Sequence, residues 1–226
     1  MSESADHPAP PRPVAPAWHT AVLLLVLFTV SAVGTVNRGN AALRHFPHLG
    51  YYAYVIVMEG VLLALCLWKV NAAFRGYLAR ILRERGGWLR DLVTAISLVV
   101  IVIFILSLLL RFLFGFQGWE SLQDLKPTDG VQRALWLGMS LVAALCEEIV
   151  FRGYFLQQFT AWTRSLGLGV VAQAAVFGLA HGYQGWKNMV LIGCLGLLLG
   201  AVTAARKNLR PAMLAHALLD SLSAFF

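Results

Sequence analysis

The apolar stretch CEEIVFRG is interrupted by Glu147 and Glu148, with Arg152 following four residues after the second glutamate. Two further apolar stretches are interrupted in the same way. VFGLAHG carries Phe177 and His181 one helical turn apart, and HALLD carries His216 and Asp220 at the same spacing. A charged side chain at the centre of a membrane helix costs roughly 2.5–3.5 kcal/mol on insertion scales. Three separate stretches bearing such groups point to one buried polar site with chemistry to do.

On a helix, Glu148 and Arg152 share a face with the acid N-terminal to the base, the favourable order for an i,i+4 ion pair. Glu147 projects about 100° away and has no such local partner, which leaves it free to act as a general base. Phe177 and His181 share a face, so the ring can wedge against the imidazole or line the same cavity. Asp220, one turn from His216, is placed to fix that ring's tautomer, a device of both catalysis and metal binding.

Each pair also has a plain structural explanation. Glutamates near a span end can reach water, a lone histidine can bond a neighbouring helix, and His216 and Asp220 can neutralise one another. Glu147, His181 and His216 are the candidate ligands for an open Zn²⁺ site, although HExxH is missing from the sequence. Cys146, directly before the glutamate pair, is a minor nucleophile candidate. Cys66 and Cys194 read as small buried hydrophobes.

The elements that must position these residues are apolar helices. Hydrophobic residues make up 59% of the 226, charged residues only 13%, and mean hydropathy is +0.70. Soluble domains carry about 25% charged residues. The reading is an all-α, polytopic transmembrane bundle, an integral multi-pass membrane protein. A span needs about 20 mostly apolar residues, and seven candidates lie near 20–36, 51–69, 92–116, 132–152, 168–181, 188–205 and 209–226. Trp18, Trp68, Trp88, Trp119, Trp162 and Trp186 fall near span ends, where amphipathic rings favour the interface.

The net charge of +7 does not indicate nucleic acid, because the basic residues lie between spans. Lys69, Arg75, Arg80, Arg83, Arg85 and Arg90 crowd one loop, and Arg206, Lys207 and Arg210 another. The loops expected on the opposite side hold Arg38, Arg44, Lys126 and Lys187 beside Glu120, Asp124 and Asp129. That asymmetry places the N-terminus in the cytoplasm, and the protein in the inner membrane if the cell is bacterial. Residues 1–18, rich in proline, are expected as a disordered tail, and 19–226 as a single transmembrane domain.

Taken together and in order, EExxxR, FxxxH and HxxxD resemble the CPBP family, the CAAX prenyl endopeptidases and bacteriocin-processing proteins, over roughly residues 132–220. The resemblance implies an intramembrane endopeptidase of glutamic type, with no cofactor and no metal. Glu147 matches the family's catalytic glutamate, Glu148 and Arg152 complete the first motif, Phe177 and His181 match the second, and His216 and Asp220 the third. The prenyl proteases commonly carry asparagine at the last position, where this chain has Asp220. The implied partner is a membrane-anchored or prenylated protein cleaved near its C-terminal tail within the lipid bilayer. The alternatives are a proton-coupled transporter using Glu147, His181 and Asp220 as a relay, and a non-catalytic membrane chaperone or immunity partner. A transporter is expected to show inverted repeats, and none is evident. Glu147, His181, His216 and Asp220 are expected to converge on one cavity opening toward the cytoplasm.

Overall fold

The computed structural model describes residues 12–38, 48–83, 87–115 and 125–225. Among these residues the regular elements are all helical. There are eight principal helices: α1 (Ala17–Arg38), α2 (His48–Trp68), α3 (Ala72–Leu82), α4 (Trp88–Phe114), α5 (Gly130–Thr163), α6 (Leu166–Ala180), α7 (Trp186–Arg206) and α8 (Arg210–Leu222). Helices α1, α2, α4, α5 and α7 are long and apolar enough to cross a membrane, and α6 is a shorter apolar helix. Each of the seven expected spans corresponds to one helix. The additional one, α3, occupies the basic loop, where Asn71 caps it by accepting from the Phe74 amide.

Local chemistry fixes the helix ends. Asp129 accepts from the Gln132 amide to start α5, and Ser165 caps α6 through the Leu168 amide. Pro211 sits in the first turn of α8, where its missing N–H has no helical partner to lose. Arg164 and Lys207 adopt positive φ, so the α5–α6 and α7–α8 turns close within a few residues. Both α4 and α5 widen into π-helical turns, over Ile101–Leu106 and Ile149–Phe155. In α5 the Leu156 amide accordingly donates to the Phe151 carbonyl five residues back.

Packing at the centre depends on small residues. A Cβ added to Gly178 of α6 would lie 2.8 Å from the Met189 carbonyl oxygen and 3.1 Å from Gly193 Cα of α7. Only glycine permits that approach, as the Gly178–Gly182 spacing suggests. At Gly182 an added Cβ would meet Ser31 Oγ of α1 at 3.3 Å. His19 is a purely structural histidine: its Nε2–H donates to the Leu65 carbonyl, and its Nδ1 accepts from the Tyr154 hydroxyl, both at 2.9 Å.

One end of the bundle gathers the basic residues around a buried acid. Asp91 is fully buried, and its carboxylate accepts from Arg206 at 3.1 Å and from Asn208 at 2.9 Å, with Arg210 at 3.7 Å. The Leu209 amide donates to the Ile81 carbonyl at 3.0 Å, seating α3 against the α7–α8 turn. Trp18, Trp68, Trp88, Trp162 and Trp186 are all exposed, as an interfacial belt requires. Trp119, Arg44, Arg85, Glu120 and Asp124 lie outside the described residues. So do residues 1–11 of the expected tail. Val14 and Ala15 are buried, with Gln158 accepting from the Val14 amide and donating to the Ala15 carbonyl.

Candidate active site

The first motif lies midway along α5, where the regular helix gives way to the π-helical turn. Single π-turns inside helices often mark functional positions. Glu148 and Arg152 are both 0% exposed, and Arg152 Nη1 stands 2.8 Å from Glu148 Oε1. The guanidinium also lies over the Phe177 ring, 4.2 Å from its centroid. A buried cation is thus balanced by one carboxylate and one aromatic face.

His216, from α8, completes this group. Its Nδ1–H donates to Glu148 Oε1 at 2.9 Å. The ring is therefore oriented mainly by Glu148, whereas the spacing in the chain had pointed to Asp220. Asp220 Oδ2 stands 3.5 Å from the other nitrogen, Nε2, and its side chain is 42% exposed. Glu147 Oε2 is 3.7 Å from the same Nε2.

His181 caps the C-terminus of α6. A carbonyl oxygen can only accept, so the 2.8 Å contact with the Phe177 carbonyl places a proton on Nδ1. Nε2 then faces Glu147 Oε1 at 3.9 Å, too far for a direct hydrogen bond. Phe177 is buried between the two imidazoles, 4.9 Å from the His181 ring and 5.9 Å from that of His216.

These side chains surround a cavity of about 130 Å³, to which Glu147, His181, His216 and Asp220 all contribute. That volume holds several waters. All four chemistry-bearing residues expected to converge do share it, and Phe177 borders it too. Glu148 and Arg152 stand behind the wall, reaching the cavity through His216. Cys146 is buried and does not line it. Among the described residues no three His, Cys, Asp or Glu side chains are grouped as metal ligands.

Residues 130–222 match the family described as type II CAAX prenyl endopeptidase Rce1-like. The helices that carry the site are Rce1-like. The match covers all three motifs, so this part of the chain is similar to the type II CAAX prenyl endopeptidases. No curated protein and no solved structure matches the chain.

The site also contains residues that the motifs do not include. Glu59 of α2, outside the matched segment, lines the cavity and is an electrostatic neighbour of Glu147. Its signal was a lone acid in a 21-residue apolar helix. Tyr183, in the turn after α6, stacks on His181 with ring centroids 6.0 Å apart. Burial pushes its phenol well above the ordinary range, so it remains a neutral hydroxyl. Trp136 of α5 donates to the Asp220 carbonyl at 2.9 Å, fixing the end of α8 against α5.

The cavity's place in the bundle departs from expectation. Tyr51, Trp136, Tyr183 and Ser223, all lining it, belong to the helix ends opposite the Asp91 cluster. The cavity therefore lies toward the end away from the basic residues, whereas depth along the spans had suggested the cytoplasmic end.

Proposed function

We propose that the chain is a metal-independent, glutamic-type intramembrane endopeptidase that cleaves a membrane-anchored protein near its C-terminal tail. The observation that carries this reading is the convergence of Glu147, His181 and His216 on a single cavity inside an apolar bundle. A water held between Glu147 and His181 loses a proton to Glu147 as its oxygen attacks the scissile carbonyl carbon. The carbonyl π electrons move onto oxygen. His216 has Nδ1–H committed to Glu148, so a proton on Nε2 makes the ring a cation able to donate to that oxyanion. Carboxylates at 3.5 and 3.7 Å balance its charge. Collapse of the intermediate breaks the C–N bond, and Glu147 returns its proton to the departing amine.

Helix α6 of 15 residues and α8 of 13 bring the site close to water. The basic loops favour a cytoplasmic N-terminus. Under that arrangement the cavity faces away from the cytoplasm, and the substrate is an anchored tail presented from the outer side. A tail-anchored reporter library co-reconstituted with the full chain in liposomes tests the activity. Parent protein should release a soluble fragment, and Glu147→Gln should lower turnover by about 10²–10⁴-fold while keeping its expression and insertion. Equal cleavage by both would remove the glutamate mechanism.

A further inference from the structure

Glu59 is the only aspartate, glutamate, lysine or arginine on α2. It makes no ion pair with a described arginine or lysine. Its electrostatic neighbours are other acids, Glu147 and Asp220, which line the same cavity. Glu59 Oε2 and Glu147 Oε2 are both buried without a protein hydrogen bond among the described residues. Two adjacent carboxylates in a site sheltered from water repel strongly, so such pairs hold one proton between them. Helix α2 packs along α5, which places Glu59 beside the reacting group, outside the segment bearing the three motifs.

We infer that Glu59 is a positioning residue for Glu147: its protonated carboxyl donates a hydrogen bond that holds the Glu147 carboxylate toward the water between it and His181. Glu59 keeps this proton throughout turnover. Glu147 alone exchanges a proton with water and with the leaving amine, so the atoms of hydrolysis balance without Glu59 being consumed. An acid is needed here because an ordinary cation would form an ion pair with Glu147 and weaken it as a base. A carboxylic acid donates without adding charge. The activity arm of this inference rests on the endopeptidase reading, whereas the hydrogen-bonded acid pair does not.

The test uses the full chain in liposomes with a tail-anchored reporter cleaved by the parent. Glu59→Ala should lower kcat by about 10- to 100-fold, the range for losing one hydrogen bond to a charged group, with KM little changed. Glu59→Gln keeps an N–H donor and should recover most of that loss. Parent-like kcat in Glu59→Ala, or equal loss in both variants, overturns the positioning role. Infrared spectra supply an arm independent of substrate. The carbonyl stretch of a protonated carboxylic acid should vanish in Glu59→Gln and shift in Glu147→Gln. A band indifferent to both substitutions overturns the acid pair, even if no reporter is ever cleaved. Glu59→Gln also carries the activity test if the alanine variant fails to fold, since turnover well below parent in that donor-keeping variant overturns the proposal.

Discussion

Removing the charge of Arg152 should destabilise the fold far more than an ordinary ion pair would. Arg152 and Glu148 are both 0% exposed and 2.8 Å apart, so neither charge can fall back on solvent. Arg152→Met keeps much of the volume but leaves Glu148 with His216 as its hydrogen-bonded partner. Breaking a buried pair from one side costs about 3–5 kcal/mol. The loss of the cation over Phe177, 4.2 Å from the ring centroid, is part of that figure. For a chain of this size the expected drop in Tm is about 6–20 °C. Glu148→Gln should be comparably harmful, because it strands the guanidinium. The double variant removes both charges, so its cost should be close to that of one single variant. Thermal unfolding in one fixed detergent, run as a double-mutant cycle, measures the coupling. Singles that cost under about 1 kcal/mol and add without coupling, as exposed pairs do, would refute the argument.

Cys146→Ser should retain full turnover, since the thiol does not line the cavity; loss of activity in a folded variant would restore a cysteine mechanism. Gly178→Ala drives a methyl group to 2.8 Å from the Met189 carbonyl, so stability should fall by about 1–3 kcal/mol. Because His181 lies just beyond Gly178, turnover should fall with it. Asp91→Ala leaves Arg206 and Arg210 without their shared carboxylate. Both arginines are partly exposed, so a reduced cost of about 1–3 kcal/mol is expected, with kcat at the distant site unchanged. A cysteine at Gly87, in the basic loop, should react only with reagents that reach the cytoplasm. Labelling from outside intact cells would reverse the orientation, and with it the side to which the cavity faces.

The site was legible in the sequence to the extent that its residues declare themselves by cost. Glu147, His181, His216 and Asp220 each interrupt an apolar run, and shared water and hydrogen bonds are the cheapest way to accommodate them. The spacing of Glu148 and Arg152 likewise specifies their ion pair. Spacing misleads at His216, where Asp220 is the neighbour along the chain but Glu148, on another helix, makes the shorter bond. The π-helical turn in α5 has no periodic signature in an almost wholly buried segment. Asp91 shows the same limit, since its partners come from the α7–α8 turn more than a hundred residues later. Glu59 carries the signal of a lone charge in an apolar helix. What joins it to the site is the packing of α2 against α5.

Helix length connects these features to the reaction. At 1.5 Å per residue, α6 and α8 are about 22 Å and 20 Å long, shorter than a hydrocarbon core of about 30 Å. His181 is at the end of α6 and Asp220 is near the end of α8, so both place polar side chains where the apolar wall gives out. A hydrolase within a membrane needs water at a depth where exposed backbone is not tolerated. Two short helices ending beside Glu147 meet that need. The long α5 keeps Glu148 and Arg152 dry behind them, where their charge pair is strongest. The same sequence features that make α6 and α8 marginal as membrane spans therefore make them suitable walls for the proposed hydrolysis.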